Sequence, residues 1–121
     1  MKSLKSYREL TVWKKSIDLS IQIYRLTSSF PTEEKFGIIS QMRRAATSIP
    51  ANIAEGQARR TTGEFLQSLG IARGSLAELE IFLIISERLQ LATATDCNSL
   101  LRDCEEISKM LNGLMKALTK R

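Results

Sequence analysis

The last quarter of the chain carries an apolar seam that a helix, and no strand, can place along one side. Its members are spaced alternately four and three residues apart: Leu100, Cys104, Ile107, Leu111, Leu114 and Leu118. This is the spacing by which the helices of a bundle pack against one another. The seam therefore predicts a helix over about residues 96–118 that buries one face against other helices.

Three earlier segments also show helical periodicity, and no segment shows the alternation of a strand. The first helix is expected over residues 6–28, because Pro31 pushes the residue before it out of helical geometry. The second is expected over residues 33–59, and a capping box of Thr61 and Glu64 opens the third, over residues 62–89. A chain of 121 residues has the size of one domain. Its short connections predict an all-α, up-down-up-down antiparallel four-helix bundle over residues 1–121.

Pro50 lies inside the second predicted helix. Its ring lacks an amide donor and crowds the carbonyl of Ala46. A complete break of the helix is the alternative, but residues 51–54 resume good helical sequence without turn residues. We therefore expect one long second helix that is kinked at Pro50.

The second predicted helix also carries a polar stripe, whose residues recur every three or four positions: Gln41, Arg44, Ser48, Asn52 and Glu55. Two interpretations are open. The stripe is an internal network in which Arg44 reaches Glu78 or Glu80 of the third helix, or it lies between subunits. We favour the internal network, because a buried arginine without a partner costs several kcal/mol and the nearest acids are in the same chain.

The predicted topology gathers basic residues from three segments at one end of the bundle. The residues are Lys2, Lys5, Arg8, Lys14 and Lys15 near the start, Arg59 and Arg60 in the second connection, and Lys109, Lys116, Lys120 and Arg121 near the end. Residues 78–106 carry seven acids against two arginines, so the net charge of +5 conceals a bipolar distribution. Such a basic end is a candidate surface for the phosphates of RNA or DNA. The alternative is that these charges only solvate the helix ends and keep the protein soluble.

Catalytic chemistry finds little support in the sequence. The chain has no histidine, and its two cysteines alone do not form a zinc site. Gly70 and Gly74 lie in a helical segment, where close helix packing or simple tolerance explains them better than a phosphate loop. Cys97 and Cys104 are expected to be small core or interface residues. We therefore expect no enzyme activity, no cofactor and no metal.

One segment supports a relation to a known family. Residues 30–56, FPTEEKFGIISQMRRAATSIPANIAEG, resemble the core signature of the bacterial four-helix-bundle family named for proteins encoded within 23S rRNA intervening sequences. The segments 10–13, 72–79 and 110–114 agree with it, so the resemblance runs from about Tyr7 to Leu118. Relatives, including the accessory proteins of diversity-generating retroelements, look like ring-shaped homopentamers that bind nucleic acid through a basic surface. The resemblance implies the same assembly and the same class of partner for this chain.

The apolar coverage of the first and third helices also favours a homo-oligomer, because it exceeds the single stripe that a monomeric bundle buries. The sequence therefore predicts a non-enzymatic, homo-oligomeric protein that binds a ribosome-linked RNA or a DNA. A protein-interaction or scaffolding module is the alternative function. Nothing resembles a signal peptide, and no apolar run reaches the roughly 20 residues of a membrane span. We expect a cytoplasmic protein without a membrane partner.

Overall fold

The computed structural model describes residues 7–120, and this part of the chain is helical without any strand. The four main helices are α1 (Thr11–Thr27), α2 (Ser40–Gln57), α3 (Thr62–Arg88) and α4 (Ala94–Thr119). A 3₁₀ turn, Tyr7–Glu9, precedes α1. The prediction of an all-α protein with four helices is confirmed.

The start of the second helix differs from its predicted form. In place of an α-helix from residue 33, the chain forms a 3₁₀ turn, Thr32–Glu34, and a π-helical turn, Lys35–Ile39, before α2 begins at Ser40. Gly37 departs from helical dihedral angles, with φ −110° and ψ −115°. The α-helix continues through Pro50. The kink at Pro50 therefore stays a prediction, while the departure that the structure does show lies at Gly37.

Two threonines determine where α3 and α4 begin. The Thr61 hydroxyl accepts a hydrogen bond from the Glu64 amide at 3.1 Å and donates one to the Glu64 carboxylate at 3.0 Å. The Thr93 hydroxyl accepts from the Asp96 amide at 3.1 Å, so α4 begins two residues before its predicted start. Each hydroxyl provides a partner for an amide that the helix itself leaves unpaired.

The contacts between α1 and α2 run in opposite order along the two helices. Ser20 donates a hydrogen bond to the carbonyl of Ala46 at 3.1 Å, and Thr27, later in α1, accepts one from the earlier Arg43 at 2.9 Å. The other neighbouring helices show the same opposed order. Between α2 and α3, Ser48 contacts Ser75 and Met42 contacts Ser86. Between α3 and α4, Arg73 contacts Asn112 and Ile84 lies beside Leu101, and between α1 and α4, Lys15 contacts Glu106 and Leu26 lies beside Leu100.

The apolar seam predicted for the fourth helix lies in the core. Five of the six seam residues in α4 are buried, and the sixth, Leu114, is half-buried. Five side-chain hydroxyls are buried with them: Ser16, Ser20, Thr27, Ser68 and Ser86. None of the buried polar side-chain atoms in residues 7–120 lacks a hydrogen-bond partner. Most of these hydroxyls bond backbone carbonyls, so they enter the core without the penalty of an unpaired polar group.

Gly56 marks the closest approach of α2 to α3. A Cβ atom at this position would lie 2.7 Å from Cβ of Ser68 and 2.9 Å from Cδ1 of Phe65. Gly70 and Gly74, for which close packing was one expectation, have open space instead, with no atom within 4 Å of a Cβ added there. Within the chain, the glycine needed for helix packing is thus Gly56.

We predict that Gly56→Ala lowers the free energy of unfolding by about 1–3 kcal/mol, because the added methyl group must push Ser68 and Phe65 away. Gly113→Ala in α4 is the matched control. Its Cβ meets open space, so removing a flexible residue from a helix should raise stability by about 0.5–1 kcal/mol. Urea unfolding followed by circular dichroism measures both. A Gly56→Ala variant as stable as the wild type would contradict the close contact.

Candidate nucleic-acid interface

The helix order brings the start of α1, the connection between α2 and α3, and the end of α4 to one end of the bundle. The Tyr7–Glu9 turn contacts α2. It is held to α1 by the Tyr7 ring, whose centroid lies 5.1 Å from that of Trp13 in an edge-on arrangement. The guanidinium of Arg8 lies 5.9 Å from the centroid of the Tyr7 ring. Three of the predicted phosphate-binding residues, Lys2, Lys5 and Arg121, lie outside the described residues.

Two of the predicted basic residues lie along the side of the bundle and are paired with acids of α4. The Lys15 ammonium lies 2.6 Å from the Glu106 carboxylate, and this hydrogen bond raises the pKa of Lys15. Lys109 lies 3.8 Å from Glu105, one turn away on the same helix. Both pairs are exposed and weak. The carboxylates of Glu106 and Glu105 nevertheless repel a phosphate group at these positions.

The remaining predicted basic residues of the described chain fall into two groups. Arg59 contacts the carboxylates of Glu55 at 2.9 Å and Glu64 at 3.9 Å. Four others are exposed and make no ion pair within residues 7–120: Lys14, Arg60, Lys116 and Lys120. We call these four residues, with Arg8 and Arg59, the basic pole. These cations come from three segments that the opposed order of the helices directs toward the same end of the bundle.

The polar stripe of α2 divides into a half-buried part and an exposed part. Ser48 shares a hydrogen bond of 2.9 Å with Ser75 of α3, and the amide of Asn52 donates to the carbonyl of Ser48 at 2.8 Å and to its hydroxyl at 3.0 Å. These three residues connect α2 to α3. Ser75 is missing from the sequence prediction, although its place directly before the apolar Leu76 was a signal for it.

The other members of the predicted network do not join it. Gln41, Arg44 and Glu78 are exposed, and the expected ion pair of Arg44 with Glu78 or Glu80 is not formed. Glu55 pairs with Arg59 instead. The physical reason is position: Arg44 projects from the outer side of α2, so its charge stays in water and needs no buried partner.

Arg43, which was not among the predicted residues, is the arginine that joins α1 and α2. Its Nε donates to the Thr27 hydroxyl at 2.9 Å and its terminal nitrogen donates to the Tyr24 carbonyl at 3.3 Å. The guanidinium also lies 4.4 Å from the centroid of the Tyr24 ring. Arg43 therefore fixes the end of α1 against α2 by hydrogen bonds and a cation–π contact.

Burial raises the pKa of titratable groups that lie in or beside the core. Cys97 and Cys104 are free and buried, and burial raises the pKa of the Cys104 thiol to about 12. Burial also raises the pKa of Glu80, with a smaller contribution from Glu105. No group of three or more metal-ligating side chains occurs in the described part of the chain.

None of the helices in residues 7–120 combines the length and apolar content that crossing a membrane requires.

Comparison with known proteins identifies the family of this fold. The sequence profile described as 23S rRNA-intervening sequence protein matches residues 8–113. Among solved structures, the chain is similar to a protein of unknown function from the S23 ribosomal protein family of Bacteroides thetaiotaomicron VPI-5482, with 28% sequence identity and a TM-score of 0.79. That match covers 88% of this chain and 99% of the other. No curated protein matches this chain.

We predict that neither cysteine reacts with a thiol reagent in the native protein at mildly alkaline pH. With a pKa of about 12, the Cys104 thiol is almost entirely protonated there, and both side chains are buried. Ellman's reagent should therefore react only after denaturant unfolds the chain. Rapid modification of the folded protein would show that α4 opens readily.

Glu80→Gln should raise the unfolding temperature near pH 7. A carboxyl whose pKa is raised on folding favours the folded state when protonated, and this contribution is lost as the pH rises through the folded pKa. Removing the charge should therefore stabilise the protein near neutrality and have little effect below about pH 4. Glu33→Gln, at an exposed position, is the control. An equal effect of Glu80→Gln at both pH values would contradict the explanation.

Proposed function

We propose that this chain, which belongs to the 23S rRNA-intervening sequence protein family, binds the phosphate backbone of a structured RNA or a DNA through the basic pole. One observation carries the proposal: Lys14, Arg60, Lys116 and Lys120 are exposed, lack ion pairs in the described chain and belong to three segments that the opposed helix order directs toward one end. Cations without an intramolecular partner release the counterions of a phosphate backbone most readily, and this release drives binding.

Binding of this kind is directed at the backbone. The aromatic rings closest to the pole, Tyr7 and Trp13, pack against each other instead of forming a platform for bases. Four phosphate contacts per subunit give a slope of log affinity against log salt of about −4. Such a site is modest alone, so the homo-oligomer expected from the sequence is part of the proposal. In a ring like the homopentamers of the retroelement accessory proteins, the poles repeat and act together.

The choice of target rests on the family. The family takes its name from intervening sequences of 23S rRNA, and the similar solved structure belongs to the S23 ribosomal protein family. A structured ribosomal RNA is therefore the first ligand that we propose, in a cytoplasmic protein. The proposed role is non-enzymatic and needs no cofactor, in keeping with a sequence that has no histidine.

A scaffolding role is the alternative function, and one observation favours it. Phe36, in the π-helical turn, is 90% exposed, and the Lys35 ammonium lies 5.7 Å from the centroid of its ring. In this alternative, the ring lies at the end opposite the basic pole and anchors a protein partner by its apolar surface. A nonspecific polyanion that competes with the captured partner would assign the binding to the basic pole. Loss of capture on Phe36→Ala would assign it to this ring.

We predict that Arg60→Glu combined with Lys120→Glu weakens binding to a ribosomal RNA fragment by about 10–100-fold at low salt. It should also make the salt slope shallower by about two, because two phosphate contacts are lost. Fluorescence anisotropy across a salt series measures both. Arg60 is a sharper choice than Arg59, whose charge is already partly neutralised by Glu55 and Glu64.

Arg25→Glu combined with Lys35→Glu is the matched control. It changes the net charge by the same amount, but both residues are exposed at the opposite end of the bundle. We expect binding within about twofold of the wild type, since surface charges beyond a Debye length of about 10 Å are largely screened. Equal losses in the two double variants would mean that net charge, and not the pole, governs binding. No binding of the wild type at low salt would refute the proposal.

A further inference from the structure

α1 and α4 leave a groove between them on the side of the bundle. Two cavities of about 150 Å³ and 310 Å³ lie along it, and Gln22 lines both, so they form one continuous depression. Along α1 this depression runs from Lys15 to Ser29, a distance of roughly 21 Å at the rise of an α-helix. An extended segment of about six or seven residues has the same length. We call this depression the α1–α4 groove.

The groove has an apolar floor and polar walls. Four side chains that lie in the core or pack against it form the floor: Leu19, Leu26, Leu100 and Ile107. Gln22 of α1 and Ser99 of α4 lie on opposite walls, and neither side chain forms a hydrogen bond within residues 7–120. An extended polypeptide finds there both apolar contacts and partners for its backbone amides.

The groove is acidic, although the whole chain carries a net charge of +5. Its lining contains four carboxylates against two basic side chains: Asp18, Asp96, Asp103 and Glu106 against Lys15 and Arg25. Asp18 and Asp103 form no ion pair within residues 7–120, and Asp103 is half-buried. A cation that a partner brings to the groove therefore meets carboxylates whose charge is not yet neutralised.

Lys15 shows how these acids hold an ammonium group. Its ammonium lies 2.6 Å from the Glu106 carboxylate. This hydrogen bond is the main cause of the raised pKa of Lys15, and the carboxylates of Asp103 and Asp18 raise that pKa further. The three carboxylates thus act on one part of the groove, where one lysine side chain already lies.

We propose that the α1–α4 groove binds a lysine- or arginine-rich segment of another protein in an extended conformation. The charged groups of this segment pair with Asp18 and Asp103, and the aliphatic parts of its side chains pack over the apolar floor. The same carboxylates repel a phosphate backbone, so the groove and the basic pole select partners of opposite charge. This inference goes beyond the nucleic-acid proposal and does not depend on it.

A fluorescein-labelled peptide in which lysine alternates with alanine, long enough to span the groove, is the probe. Fluorescence anisotropy measures its affinity for the full chain at low salt, without nucleic acid, because a basic peptide binds RNA itself. The wild type should bind this peptide and should not bind the same peptide with glutamate in place of lysine. Since the whole chain is positively charged, a general electrostatic attraction gives the reverse order. No binding of the lysine peptide, or equal binding of both, would overturn the proposal.

Asp18→Asn combined with Asp103→Asn should weaken binding of the lysine peptide about tenfold, because two charge pairs are lost. Glu33→Gln combined with Glu78→Gln is the matched control. It changes the net charge by the same amount at exposed positions outside the groove, and it should change the affinity less than about twofold. Circular dichroism should show that both variants are folded. Equal losses in the two variants would exclude the groove as the site.

Lys15→Ala tests the groove by a gain of affinity, which a folding defect does not produce. The substitution frees Glu106 and makes the groove more acidic. The affinity for the lysine peptide should therefore rise about three- to fivefold. An unchanged or lower affinity would overturn the assignment.

The same samples identify other occupants and separate the two proposals. Spermidine that binds as tightly as the peptide would overturn the protein partner in favour of a small polyamine. Altered sedimentation of the Asp18 and Asp103 double variant alone would overturn it in favour of a second copy in the groove. RNA binding without peptide binding would overturn this inference and leave the basic pole standing. Peptide binding that follows the expected variant order, without RNA binding at low salt, would support the groove and overturn the RNA proposal.

Discussion

The close contact of α2 with α3 is the constraint on which the other surfaces depend. Gly56 lets the two backbones approach beside Ser68, and the hydrogen bond of Ser48 with Ser75 fixes their register two turns away. This register determines where Arg60 emerges in the connection between the helices. It also determines that Arg44 and Glu78 lie at one level on the outer side. A shift of one turn along either helix would move these charges by about 5 Å relative to one another.

Small hydroxyl residues allow similar contacts elsewhere in the bundle. Ser20 bonds the carbonyl of Ser16 in its own helix and that of Ala46 in α2, so one side chain links two backbones inside the core. Thr27 bonds the carbonyl of Ile23 and also accepts from Arg43. These bonds stabilise close packing, because no buried hydroxyl in the described part of the chain is left without a partner and each side chain occupies little volume.

Periodicity predicted the helices and most of the core, because burial of one face is a repeated signal over many residues. The α4 seam shows this clearly. The start of α2 was missed because the π-helical turn depends on how residues 35–39 meet the rest of the bundle, and no short-range pattern encodes it. The same limit explains the confusion of Arg44 with Arg43. Neighbouring positions differ by about 100° around a helix, and only the packing direction decides which arginine meets another helix.

The proposed assembly and the proposed ligand are coupled electrostatically. Copies packed side by side in the proposed ring would bring several basic poles to the same end of the assembly, and the mutual repulsion of these poles would weaken the assembly at low salt. A nucleic-acid backbone across the poles would neutralise that repulsion and favour assembly. By linkage, assembly must strengthen nucleic-acid binding by the same factor. Apolar burial between copies would then hold together the positive charges that bind a polyanion.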